Sequence, residues 1–371
     1  MELVCVKNQI QKCLQLADRH TNHTETNPIL TGVFLKAEKN NLIIRSTDLY
    51  SGFETKIPAQ IKKEGELVIP SKPAISVLSS INDEKIKMES KEGNLYLTTK
   101  NTSTALKTYN NEDFPKLPKI KNGYKLVLET EKLFSNLKNV FFAAANSDIK
   151  PEISAILFSA GGSKNKSEGS LKITATDSFR LAEKSFEANF EKTGSFLFPA
   201  RSASNFMKII ENFDDQVEIN FDAQHLFVSH PYFSYFTRLT EGSFPDYEQI
   251  IPSSFTTEAT LSKKDLIENL KLAGVLSGRL KEIKMRIYSG DNLLEITTSD
   301  NEFGEHTSHL PAQITGENLE ISFNQRYLLE GLEPVNSDGV ILRFSGANRP
   351  LLIQNPRDVS YLYLVMPMKS S

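Results

Sequence analysis

The chain has 371 residues, 39% hydrophobic and 24% charged, with no tryptophan; this length suits two or three domains, and the composition excludes a disordered or collagen-like protein. A net charge of -3 gives no overall basicity, so any affinity for nucleic acid has to be local. The stretch Met1–His20 lacks the apolar centre of a secretory signal, no apolar run could span a bilayer as a helix, and the two cysteines, Cys5 and Cys13, form no paired framework, so the expected location is cytoplasmic.

Taken in order, the chain repeats one succession of elements three times. Each repeat opens with a strand and a helix, the helices expected over Lys7 to Arg19, Thr130 to Ala145 and Ser262 to Gly278. A β-rich run then ends in a hydroxyl residue and an aspartate: Asn41–Asp48, Ser170–Asp177 and Leu293–Asp300. The aspartates lie 129 positions apart (177 minus 48) and 123 apart (300 minus 177), and the next motif keeps step with them. That motif is a strand running into a second helix, at Leu67–Lys72, Phe196–Arg201 and Ile321–Arg326. The helices that follow are expected over Pro73 to Ile81, Ser202 to Phe213 and Tyr327 to Val335, and a strand pair such as Glu84–Thr99 comes next. The proline-marked segments Asp113–Pro118 and Ser243–Pro252 close the first two repeats. Domains over 1–121, 122–252 and 253–371 follow, each reading β-α-β-β-β twice. The class is α+β, with helices on one face of antiparallel sheets.

Few residues suggest catalysis. No phosphate loop, zinc-protease motif, nucleophile elbow or dinucleotide fingerprint occurs. The Gly161–Gly169 stretch between two β runs reads as a hairpin loop, and the spaced pairs His20/His23 and His306/His309 have no third ligand in register, so neither metal nor cofactor is expected. Because Asp48, Asp177 and Asp300 recur at one place per repeat, each reads as a turn cap rather than as half of an acid/base pair.

Charge is distributed unevenly. The six helices and their lead residues carry Lys7, Lys12, Arg19, Lys72, Lys132, Lys138, Arg201, Lys208, Lys263, Lys264, Lys271 and Arg326 against eight acids, on a chain that is negative overall. If the helices share a face, it attracts phosphates without sequence selectivity. The stretch Tyr361–Met368 is apolar and holds Pro367, which fits an adaptable greasy groove or a buried strand.

The triplicated unit, Ala175–Ala182 (ATDSFRLA), Ser243–Tyr247 (SFPDY) and Val365–Met368 (VMPM) together resemble the bacterial DNA polymerase III beta subunits, the sliding clamps, over the whole chain. The resemblance implies three tandem clamp domains in a head-to-tail homodimer, a ring around double-stranded DNA with helices lining the hole and sheets outside. It implies a processivity factor without a catalytic site, tethering the polymerase III alpha subunit, the clamp loader and other polymerases or repair proteins through short peptides, away from any membrane. By position, the partner-peptide cleft would use Ile153, Thr176, Phe179, Arg180, Leu181, Pro245, Ile250, Asn324, Tyr327, Pro350, Val365, Met366, Pro367 and Met368, with Arg180 fixing the polar end of the peptide. The sequence departs from the family at Phe179 (commonly histidine), Ser178 (commonly glycine), Lys150–Ile153 and the ending Lys369–Ser371, while a loop position that is often a DNA-touching arginine is Thr24. The dimer interface would join the edge strand Thr102 to Tyr109 to the one near Glu302 to Ser308. There Leu106 would pack near Val275 and Leu276, and Lys100 or Lys107 would face Glu302 or Glu305. Two other classes fit the residues: a monomeric peptide-binding scaffold, and a hydrolase or transferase with an inter-domain carboxylate site.

Overall fold

A computed structural model of the chain describes all residues except 23–27, 113, 119, 121–122, 148, 162–168, 191–192 and 369–371. His23, Thr24, Asp113, most of the Gly161–Gly169 loop and the Lys369–Ser371 ending therefore lie outside the described residues. Two compact units make up the chain: Met1–Phe134 with Asn189–Lys192 and Arg201–Leu239, and Ser135–Ala188 with Thr193–Ala200 and Thr240–Ser371.

Among the described residues there are six α-helices: α1 (Lys7–Asp18), α2 (Ser71–Ser79), α3 (Thr130–Phe141), α4 (Ala200–Ile210), α5 (Lys263–Val275) and α6 (Gln325–Leu332). Three of them, α2, α4 and α6, begin two residues earlier than the apolar spacing indicates, because the strand before each passes into the helix without a loop. Lys72, Arg201 and Arg326 thus sit in first helical turns rather than ahead of them.

In the first unit the strands Glu2–Val6, Gln60–Lys63, Lys85–Lys91, Asn94–Thr98 and Ser103–Lys107 form one antiparallel sheet, with Ser103–Lys107 at an edge. A second antiparallel ladder runs from Gly65–Pro70 through Gly32–Glu38, Asn41–Thr47 and Ser51–Pro58. It continues through Phe233–Arg238, His225–Ser229, Gln216–Phe221 and Tyr124–Glu129, so that residues of the first and second repeats share one sheet. Alternation places Leu42, Ile44, Phe53, Val228 and Tyr235 inside, and α1 packs on α2 over the sheet.

The second unit has the matching arrangement. Its ladder runs Gly194–Pro199, Ala155–Gly161, Gly169–Thr176, Arg180–Phe190, Tyr361–Val365, Leu351–Gln354, Gly339–Phe344 and Thr257–Ser262. A four-stranded sheet, with Gly304–Pro311 at its edge, lies beside it. The strand Tyr361–Val365 is therefore internal, paired on both sides, which settles that stretch as a buried strand as far as Val365.

Each repeat reads β-α-β-β-β twice, with one refinement. The long strand after the aspartate turn is split in the first and third repeats at Pro58-Ala59 and Pro311-Ala312, giving the short strands Gln60–Lys63 and Gln313–Gly316. Proline removes a ladder donor and ends the first piece. In the second repeat no proline intervenes, and Arg180–Phe190 runs unbroken.

Candidate functional site

The cleft expected from the sequence lies wholly in the second unit and is built from one turn, one connector and one strand. Thr176 Oγ1 donates to the Arg180 carbonyl at 2.7 Å, and the Asp177 carboxylate accepts from the amides of Phe179 and Arg180 at 2.9 and 3.0 Å. With both amides held, Ser178 adopts φ 76°, a conformation that glycine takes without cost and serine does not. The turn projects Phe179 outward, leaving it 61% exposed, and its carbonyl receives the Met366 amide at 2.8 Å. The chain then crosses to the strand Leu319–Asn324, where the Met368 amide donates to the Ser322 carbonyl at 2.8 Å.

Behind the turn, Leu181, Leu352, Leu364 and Tyr247 form a buried cluster against which Phe244 and Ile251 pack. Tyr247 is held by its hydroxyl, which donates to Glu183 at 2.5 Å and receives Thr174 Oγ1 at 3.2 Å. The SFPDY motif thus supplies the cover of this cluster. Pro245 and Ile250 stand exposed on the same connector, and Met366 is also exposed. Phe179, Ile250 and Met366 are therefore open apolar side chains, while Ile153, Thr176, Leu181, Pro350 and Val365 are buried and Pro367 and Met368 half-buried.

Two of the cleft residues also have work within the chain. Arg180 is only 8% exposed. Its guanidinium donates to Asp177 at 2.9 Å, to the Phe142 carbonyl at 2.6 Å and to Glu330, and lies 4.3 Å from the Tyr327 ring centre. Burial opposes its charge, but the Glu330 bond and the neighbouring carboxylates outweigh that and raise its pKa. These bonds brace the cleft wall from behind. Asn324 caps α6, accepting from the amides of Arg326 and Tyr327 at 3.0 and 3.3 Å. The bracing residues Glu330 and Phe142 carried no sequence signal; Tyr247 was marked by its motif.

The aspartate turn occurs three times. Asp48 accepts from the amides of Tyr50 and Ser51 at 3.0 and 2.6 Å, and Asp300 from those of Glu302 and Phe303 at 2.9 and 3.3 Å, as Asp177 does in the second repeat. These carboxylates are turn caps, as the repeat pattern predicts.

Family models of the DNA polymerase III beta subunit match residues 1–118 with its N-terminal domain, 127–246 with its central domain and 248–369 with its C-terminal domain. The chain belongs to this family. A beta sliding clamp of Synechococcus elongatus is 26% identical over 100% of this chain and 99% of its own, and that of Bacillus subtilis 24% identical over the full length of both. Among solved structures, the sliding clamp of Bacillus subtilis superposes with a TM-score of 0.92 at 23% identity, and the beta subunit of Thermotoga maritima with 0.91 at 23%, each covering both chains completely. The α+β clamp fold of three beta-subunit domains is thereby shown.

Within this beta-subunit frame the helix cations differ in availability. Lys12, Arg19, Lys72, Lys138, Arg201 and Lys271 are exposed, with no carboxylate partner among the described residues. Lys208, Lys264 and Arg326 are exposed but ion-paired to Glu211, Glu268 and Glu330 within their own helical neighbourhoods. Lys7 bonds Gln11 at 3.2 Å, and Lys132 is half-buried. Lys263 is engaged within the chain: its ammonium donates to the Val335 and Glu333 carbonyls at 2.6 and 3.2 Å, just past α6, and burial lowers its pKa. It serves as a helix C-terminal cation.

At the expected interface, Lys100, Lys107, Glu302 and Glu305 are exposed, Val275 is 73% exposed and Leu276 half-buried. Leu106 is buried within its own unit. The exposed apolar side chains on the other side are Leu272, Val275, Leu280 and Phe303. Of the histidines, His20 is buried, bonding Ser51 Oγ at 3.0 Å between the rings of Phe53 and Tyr235, and no metal-ligand cluster occurs among the described residues.

Proposed function

We propose that the chain is a DNA sliding clamp: two copies join head to tail through the Ser103–Lys107 and Gly304–Pro311 edges and enclose double-stranded DNA, and the cleft captures short peptides of polymerases, the clamp loader and repair proteins. The observation that carries this reading is the match of three beta-subunit domains in succession along the chain. Each proposed edge strand ends its own sheet, and joining unpaired edges in a closed ring removes an aggregation hazard. The exposed, unpaired lysines and arginines supply backbone attraction without base readout. The exposed apolar side chains Phe179, Ile250 and Met366 suit an inserted aliphatic or aromatic side chain. The domain limits we assign are 1–121, 122–252 and 253–371.

The protein acts by topology and peptide capture rather than catalysis, since the three aspartates a hydrolytic reading would need are committed to their own turns. It works where the DNA is, in the cytoplasm. The test is retention on nicked circular DNA after loading by the cognate loader and ATP, before and after one restriction cut. Release on linearisation is the expected result; a loaded protein that stays on cut DNA with free ends refutes encirclement.

A further inference from the structure

The first unit contains a second copy of the cleft architecture. The Arg238 amide donates to the Tyr50 carbonyl at 2.8 Å, as the Met366 amide does to the Phe179 carbonyl. The Tyr235 hydroxyl donates to the Ser202 carbonyl at 3.1 Å, as the Tyr363 hydroxyl does to the Tyr327 carbonyl at 2.8 Å. His20 lies 5.5 Å from the Tyr235 ring, where Phe142 lies 5.8 Å from that of Tyr363. Turn, strand and helix start therefore correspond atom for atom at these backbone positions.

What differs is the lining. Tyr50 is 67% and Leu49 48% exposed, so the aromatic lip is retained. At the position of Met366 stands Arg238, whose guanidinium lies 5.2 Å from the Tyr50 ring. On the connector, Lys116 of the FPKLP segment replaces Asp246 of FPDYE, and Leu117 packs over Gly52. Arg201 precedes Ser202 at the start of α4. Lys116, Arg201 and Arg238 are exposed and have no carboxylate partner among the described residues, whereas the other connector carries the exposed acids Asp246 and Glu248. The apolar lip has been kept and the rim has changed sign.

From this we infer that the surface around Tyr50, Leu117 and Arg238 is a second peptide-docking site, selective for an extended acidic peptide that carries an aromatic or leucine side chain. The inference rests on the peptide-capture reading of the cleft around Phe179 and Met366. An aromatic lip gives the bound side chain area at little entropic cost, and Arg238 beside it, with Lys116 on the connector, rewards carboxylates flanking that side chain.

The test uses the full-length protein and a fluorescein-labelled heptapeptide that alternates aspartate with leucine and ends in phenylalanine, titrated by fluorescence anisotropy, with stoichiometry from calorimetry. At saturation two peptides per chain are expected in the parent, the one around Arg238 at least tenfold tighter, because the exposed acids Asp246 and Glu248 oppose an acidic peptide at the other cleft. Arg238→Glu should leave one, with at least tenfold weaker binding at the lost site, and Tyr50→Ala should do likewise; circular dichroism checks that each variant is folded. Met366→Ala with Met368→Ala should remove the other peptide only. One peptide per chain, lost in the methionine variant and indifferent to Arg238→Glu, overturns the second site and leaves the cleft reading standing. Binding that is lost with Arg238→Glu and indifferent to the methionines keeps the second site and overturns that reading. If Arg238→Glu weakens a short DNA duplex and not the peptide, the surface is a nucleic-acid contact and the inference fails.

Discussion

Arg180 offers the sharpest test of how the cleft is built. Replacing it by alanine removes its donations to Asp177, Glu330 and the Phe142 carbonyl, and the cation over Tyr327. Stripping one partner from a buried ion pair costs about 3–5 kcal/mol. Here the orphaned groups keep other partners: Asp177 still accepts two amides, and Glu330 keeps Arg326 at 2.8 Å. The low end of that range, about 3 kcal/mol, is therefore the expected loss, equivalent to roughly a 150-fold change in an opening equilibrium. Native-state hydrogen exchange reads it locally: the Met366 amide, bonded to the Phe179 carbonyl, should lose about two decades of protection. Arg180→Lys should fall between, keeping the charge and losing the fork. Combining Arg180→Ala with Glu330→Gln should give less than the sum of the single effects by about 1 kcal/mol or more. Protection changed less than about threefold, some 0.6 kcal/mol, would show that the guanidinium does not hold the wall, and a direct peptide contact would then be the better account.

Three further expectations follow from single residues. Gly331 lies against the Tyr363 ring so closely that a Cβ would overlap it; Gly331→Ala should cost about 1–3 kcal/mol by overpacking and weaken peptide binding, and unchanged melting would refute the contact. His20 is held neutral by burial, its pKa lowered from 6.5 to about 3, so between those values an unfolded chain binds a proton that the folded one refuses. Its contribution is complete above pH 6.5 and lost progressively as pH falls toward 3. His20→Phe, which copies Phe142 of the next repeat, should therefore flatten the rise of the urea midpoint from pH 4 to pH 6.5; an unaltered slope would refute the assignment. Lys263→Met should lower stability by about 1 kcal/mol through the lost carbonyl bonds while leaving the salt dependence of DNA binding untouched, whereas Lys12→Ala or Lys271→Ala should reduce that slope by about 0.9 if the residue meets a phosphate.

The repeat was legible because its signals are local. An aspartate bonding amides two and three residues on, a proline that splits a strand and an alternating apolar run are each written within ten residues, and the turns at Asp48, Asp177 and Asp300 were read correctly as caps. Apolar spacing starts these helices late, at Pro73, Ser202 and Tyr327, because the buried residues that open α2 and α6, Ser71 and Gln325, are polar and add nothing to an apolar pattern. The partners that occupy Arg180 and Lys263 are distant in sequence. Arg180 is buried only because Glu330, 150 positions away, receives it, and Lys263 is occupied by carbonyls some 70 positions on. In a list of positive charges, a lysine that caps a helix cannot be told from one that waits for a phosphate.

The internal placement of Tyr361–Val365 bears on synthesis. Its partner strand begins at Arg180, and Val365, which pairs with Arg180, comes 185 residues later (365 minus 180). At typical translation speeds the edge Arg180–Lys184 waits about 10 to 40 seconds for its neighbour. Once Arg238 has been made the ribosome carries a chain whose first unit has all its strands, while the cleft wall is still an open strand edge able to pair with the wrong chain. Peptide capture around Met366 is thus withheld until this late strand is laid down, and a truncated chain ending before it would hold the turn at Phe179 but nothing to close against it.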